Sequence, residues 1–155
     1  MSKAIRQIHD FFIKNKKTLA IAESCSGGLL SSLLTAIPGS SGYFILGLVT
    51  YSNSAKESVL KIPRRIISEK GAVSAQVASL MSERVRKIAK SDFSIGITGI
   101  AGPSGGTPEK PVGTVFISVS SAKKSICRRL QFKGNRQNIR KQTALTSLSL
   151  LKKLF

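Results

Sequence analysis

The chain is poor in the residues from which most enzyme centres are built. Among 155 residues there is one histidine, His9, and only seven carboxylates: Asp10, Asp92, Glu23, Glu57, Glu69, Glu83 and Glu109. A zinc site asks for three or four His, Cys or carboxylate ligands at short spacing, and no such cluster occurs. Two-metal phosphoryl transfer is short of acids for the same reason. A Ser-His-Asp triad would have to recruit His9, which stands in an amphipathic N-terminal segment with Ile5, Ile8, Phe11 and Phe12 and beside no glycine-rich turn. The expectation is an activity with no metal, no cofactor and a base other than histidine. Cys25 and Cys127 are too few for a disulfide framework, which fits a reducing cytoplasm. No apolar run reaches the roughly 18 residues of a membrane span. The N-terminus MSKAIRQIHDFFIKNKK lacks the apolar core and cleavage site of a signal peptide.

What is present in excess is positive charge, a formal +18 from 25 basic and 7 acidic residues. Such a field attracts anions and raises the question of nucleic acid. The basic residues are nevertheless spread along the chain, with no aromatic interleaving, RNA-binding sheet motif or zinc finger. A solvated basic surface is the plainer reading, and a nucleic-acid partner is disfavoured. With 41% hydrophobic residues and no linker, repeat or low-complexity segment, the chain reads as one domain over 1–155.

Apolar spacing predicts a helix over 3–15, a buried strand over 18–22, and a helix from 29 to about 37 that Pro38-Gly39 stops. A strand over 44–51 follows, then a short helix from about Ser54 and a helical turn over 64–69. Ser74 reads as the N-cap of a long helix whose core face is Val77, Leu80, Met81, Val85 and Ile88. A strand over 93–98 leads into the Gly/Pro-rich loop 99–112. Strands over 114–120 and 125–132 read as an antiparallel hairpin, and the tail from 135 as a final helix. This order implies a three-layer α/β/α sandwich with a mixed sheet. Loops 23–28, 51–56 and 98–112 are expected to meet at the carboxyl ends of their strands, where open α/β sheets bind ligands.

Three segments can carry chemistry. In Glu23-Ser24-Cys25-Ser26-Gly27-Gly28, Ser24 can attack a carbonyl while free N–H groups of the glycine turn hold the oxyanion. The competing reading is that Ser24 or Ser26 only caps the following helix. In Tyr51-Ser52-Asn53-Ser54-Ala55-Lys56-Glu57, Ser54 and Glu57 fit a capping box, which puts Lys56 in the first helical turn. There the helix dipole and partial burial would lower the ammonium pKa and leave an amine able to act as base. A tolerated surface lysine is the alternative. Loop 98–112 is long enough to be functional but has neither the Walker A nor the dinucleotide-binding pattern. Arg136, at a strand-to-helix turn, can take a phosphate or carboxylate bidentately. Cys25 reads as a small buried residue, Cys127 as structural, and His9 and Asp10 as solvent-facing.

The stretches AESCSGGLLSSLLTAIPGSSGYF (22–44), GLVTYSNSAKESVL (47–60), GAVSAQVA (71–78), GITGIAGPSGGTPEKPVGTV (96–115) and FKGNR (132–136) together resemble the CinA C-terminal domain family. That family includes the stand-alone nicotinamide-mononucleotide deamidases, and the chain looks like that short form. The resemblance implies an α/β/α sandwich and hydrolysis of nicotinamide mononucleotide to nicotinate mononucleotide and ammonia. It implies Ser24 as nucleophile, Lys56 as its base and Tyr51 as an assisting group. It also places Ser41, Thr98 and Arg136 at the substrate, with Ser26, Gly27 and Gly28 at the oxyanion. Ser26 stands where the family usually has threonine, so either serine flanking Cys25 can be the nucleophile. Ser104 stands where the family's loop often carries an acid. An inactive nucleotide-binding or regulatory module of the same family is the alternative, and a homo-oligomer is left open.

Overall fold

The computed structural model describes residues 3–155 and shows a five-stranded sheet between two helical layers. The elements are α1 (Lys3–Asn15), β1 (Leu19–Glu23), α2 (Leu29–Thr35), β2 (Phe44–Val49), α3 (Asn53–Ser58), α4 (Arg64–Lys70), α5 (Ala75–Ala89), β3 (Phe93–Gly99), β4 (Thr114–Ser121), β5 (Ser125–Gln131) and α6 (Arg136–Leu151). The sheet order is β2-β1-β3-β4-β5. β1 runs parallel to both β2 and β3, whereas β4 is antiparallel to β3 and to β5. The sheet is therefore mixed and the fold is the expected sandwich. No helix among the described residues is long and apolar enough to cross a membrane.

The two faces of the sheet differ because side chains alternate along each strand. Leu19, Ile21, Ile95, Ile97, Val115 and Ile117 turn to one face and pack with Ile8, Phe12, Leu30, Leu34 and Leu148 of α1, α2 and α6. Full burial of each such side chain stabilises the fold by ~1.5–3 kcal/mol relative to exposure. The alternate positions carry small residues. Ala20 and Ala22 meet Val77, Met81 and Val85 of α5 and Ile62 and Ile67 beside it. A Cβ on Gly96 would stand 2.4 Å from the Ala78 carbonyl oxygen, so only glycine allows α5 to lie this close.

Local signals account for the helix ends. Ser74 is the N-cap of α5, its Oγ accepting from the Val77 N–H at 3.2 Å, and Asn135 caps α6 in the same way. Three expectations are corrected. Ile88 is half exposed rather than in the core face of α5, where Ala78 and Ser82 are buried instead. His9 packs its ring edge against the buried Tyr43 rather than facing solvent. The N-cap of α3 is Ser52, which accepts from the Ala55 N–H at 3.0 Å, not Ser54.

Candidate active site

The carboxyl ends of β1 and β2 lie level, with Glu23 paired to Val49. The residues that follow them, Ser24 on one side and Thr50 and Tyr51 on the other, therefore emerge side by side. The short helix α3 then folds back so that Lys56 enters the gap between the two strand ends. Lys56 is 1% exposed. Its Nζ lies 3.0 Å from Ser24 Oγ, 2.9 Å from the Thr50 carbonyl oxygen and 3.1 Å from that of Tyr51. Carbonyl oxygens only accept. A neutral amine donates its two N–H bonds to them and keeps its lone pair for the third neighbour, the Ser24 hydroxyl.

Burial holds the Lys56 pKa below the ordinary lysine range, since the charged form loses its hydration. The helix dipole is not the cause. With Ser52 as cap, Lys56 falls in the last turn of α3, where a cation is not repelled.

Glu23 is the feature the sequence reading missed. It is fully buried, and its carboxylate accepts from the N–H groups of Gly28 at 3.1 Å, Leu30 at 3.2 Å and Ser31 at 2.8 Å, and from Ser31 Oγ at 2.7 Å. It caps α2 from the preceding strand, and neither Ser24 nor Ser26 does so. The Gly27 N–H is also occupied, by the Ser24 carbonyl at 3.0 Å. The N–H groups of Gly27 and Gly28 expected at an oxyanion are thus already bound. Neither glycine lines the cavity beside Ser24. Capping templates count three residues between cap and N–H, and Glu23 acts from five to eight residues upstream, so no local pattern reports it.

Ser24 and Ser26 part company here. Ser26 is fully buried, and its Oγ has no hydrogen-bond partner. Its carbonyl accepts from Arg140 Nε at 3.1 Å and Nη2 at 2.9 Å, which pins the turn to α6. Cys25 is buried between them, and burial pushes its thiol up to about 12, which keeps it protonated and unreactive.

A cavity of about 270 Å³ opens over Ser24 and Lys56. Tyr51 and Asn53 form one wall, Ala72, Val73 and Thr98 another, and 99–105 with Arg136 the rim. The three predicted loops do converge. Thr98 donates its hydroxyl to the Ala72 carbonyl at 2.8 Å and so positions that wall. Arg136, the first residue of α6, reaches across the mouth. Its Nη1 donates to the Gly102 carbonyl and its Nη2 to Tyr51 Oη, both at 2.7 Å. Lys110 ties the long loop down by donating to the Val73 carbonyl at 2.6 Å. Ser41 is not brought to this cavity. It lies in the turn Ser40–Gly42 ahead of β2, at the other end of that strand. Among the described residues, no three His, Cys, Asp or Glu side chains gather as a metal site.

Comparison with known proteins agrees with this architecture. The family model of the CinA C-terminal domain matches residues 1–155. A CinA-like protein of Geobacter metallireducens is 48% identical over 142 residues, covering 92% of this chain and 34% of that protein. The chain thus spans about a third of the length of such curated relatives. Among solved structures, the competence/damage inducible protein CihA from Agrobacterium tumefaciens superposes with a TM-score of 0.96 at 35% identity, covering 98% of this chain and 93% of that one. A CinA superfamily protein from Enterobacter cloacae gives 0.93 at 34% identity, covering 99% and 91%.

Proposed function

Because the chain belongs to the CinA C-terminal domain family, we propose that its cavity hydrolyses the carboxamide of nicotinamide mononucleotide, giving nicotinate mononucleotide and ammonia. The observation that carries this reading is the buried Lys56 amine, held by two carbonyls with Ser24 Oγ as its third neighbour. Lys56 takes the Ser24 proton as Oγ bonds to the amide carbon. The resulting ammonium stays beside the tetrahedral centre and offsets the negative charge forming there. That proton then passes to the departing ammonia, and water, deprotonated by Lys56, releases the acid from Ser24. Tyr51 serves the site through its carbonyl, which holds the amine, and through its phenol, which orients Arg136. Arg136 is a guanidinium at the rim with no carboxylate partner among the described residues, suited to the nucleotide's phosphate.

The test is ammonia release from nicotinamide mononucleotide by the wild type, Ser24→Ala and Ser26→Ala side by side. The expected result is release by the wild type and Ser26→Ala and none by Ser24→Ala. Near-normal turnover by Ser24→Ala removes that residue from the nucleophile role. Nucleotide binding by the wild type without ammonia release favours a regulatory module instead.

A further inference from the structure

At the end of the sheet away from the cavity, positive charge gathers around a second cleft. β3 and β4 run antiparallel, so Gly99 pairs with Val115 at the cavity end and Phe93 with Ser121 at the other, roughly 20 Å away at the rise of a strand. There the β4–β5 turn faces the second half of α5, and the two enclose a space of about 350 Å³. Arg86 and Lys87 line it from the helix, Lys123 and Lys124 from the turn. One carboxylate, Glu83, shares the wall, and Lys87 already binds it. Arg86, Lys123 and Lys124 have no carboxylate partner within salt-bridge distance among the described residues. The negative end of the α5 dipole accounts for a cation in its last turn, but not for two more on the turn opposite. Arg86 is the sharper case. Its Nε is buried and has no hydrogen-bond partner among the described residues, whereas Arg136 and Arg140 spend their N–H groups on carbonyls and a phenol. A buried donor left unpaired is costly, and an acceptor in the cleft would satisfy it. Arg84 Nε is also unpaired, but Arg84 does not line this space.

We propose that this cleft binds a condensed phosphate, a chain of two or more phosphoryl groups, through Arg86, Lys123 and Lys124. The lining selects that class. Four cations stand against one carboxylate, and a single phosphoryl group brings at most about two negative charges. Two joined groups supply the match. The guanidinium of Arg86 suits phosphate oxygens as a hydrogen-bonding fork, and the lysines act as point charges. The lining holds no aromatic ring and no apolar side chain larger than that of Ala122, so nothing there receives a base or an acyl chain. Serine hydroxyls, among them Ser79 and Ser125, fill the remaining positions, and hydroxyls of this kind bond phosphate oxygens. The cleft shares no residue with the cavity over Ser24, so the proposal stands apart from the reading of that cavity.

Titration calorimetry of the full chain with inorganic pyrophosphate, at fixed ionic strength and without divalent cations, tests this. The wild type is expected to hold pyrophosphate at least ~10-fold tighter than orthophosphate. Lys123→Gln/Lys124→Gln, in an exposed turn, should weaken pyrophosphate binding at least ~10-fold with an unchanged far-UV spectrum. Arg86→Gln should do the same, and the double-lysine variant carries the test should Arg86→Gln not fold. Lys152→Gln/Lys153→Gln removes the same two charges beyond the end of α6, on the other face of the sheet. It should stay within ~2-fold of the wild type, because salt screens charges at that range. Tripolyphosphate and a nucleoside triphosphate, titrated side by side, separate the two sources of a phosphate chain. A nucleotide bound no tighter than tripolyphosphate supports a site that reads the chain alone, and one bound tighter overturns it. The proposal also falls if the wild type binds no pyrophosphate, if orthophosphate binds as tightly, or if both double-lysine variants lose binding equally.

Discussion

Among the described residues, buried hydroxyls under α5 and at the carboxyl edge of the sheet keep different company. Under α5, Ser82 Oγ lies 2.9 Å from Ser118 Oγ and 2.8 Å from Ser120 Oγ, while Ser94 donates to the Ser82 carbonyl at 2.7 Å. All four side chains are nearly solvent-free. Every hydroxyl there is satisfied by a neutral neighbour, so the cluster is packing chemistry in polar form. At the carboxyl edge, Ser24 is just as buried, but its partner is an ionisable amine and a cavity opens over it. Burial of serine alone therefore says nothing about function. What separates the two is a titratable amine beside the hydroxyl and a cavity open above it.

Substitutions that exchange the consequences of the two clusters test this contrast. The largest effect is expected from Ser24→Ala, which should lower kcat for ammonia release by ~10⁴-fold or more while the melting temperature moves by a few degrees at most. Lys56→Met should lower kcat by ~10²–10⁴-fold and remove the alkaline-rising limb of the rate profile. In the wild type that limb lies below the ordinary lysine range, because burial lowers the pKa. The same shift gives stability a sign. Between the lowered folded value and the ordinary one, the unfolded chain binds more protons, so stability rises with pH across that window. The cost of Lys56 is complete below the folded value and gone above the unfolded one. Chemical denaturation across alkaline pH should show this slope in the wild type and its loss in Lys56→Met.

The other cluster should respond in stability and not in rate. Gly96→Ala forces a Cβ against the backbone of α5 and should cost ~3 kcal/mol, read as a lower denaturation midpoint with the slope unchanged. Ser82→Ala leaves Ser118 without its hydroxyl partner and should cost ~1–2 kcal/mol. Ammonia release per folded molecule should stay at the wild-type level in both. A kcat loss in Ser82→Ala comparable to that of Ser24→Ala would erase the distinction between the clusters.

Much of this was legible in the chain. The apolar run of β1, the alternation within β4 and β5, the cap at Ser74 and the stop at Pro38-Gly39 are local signals, and each reports the element it belongs to. Ser24 and Lys56 were also visible, as a serine before a glycine turn and a lysine in a composition almost without histidine. What stayed hidden were relations across the sheet. Glu23 takes over the N–H groups that a local reading assigned to an oxyanion, and Arg140 holds the Ser26 carbonyl from a helix more than a hundred residues away. Which of Ser24 and Ser26 lies against Lys56 is likewise set across the sheet.

The amino-acid sequence alone determined the alternation of strands and helices, the three-layer plan and the scarcity of any base other than lysine. Periodicity and composition are properties of neighbours along the chain, and they survive without a fold. The tertiary structure decided which serine faces the amine, how burial lowers that amine's pKa and where the glycine N–H groups are bound. Those depend on burial and on distances of about 3 Å between segments far apart in sequence, which exist only once the level ends of β1 and β2 bring them together.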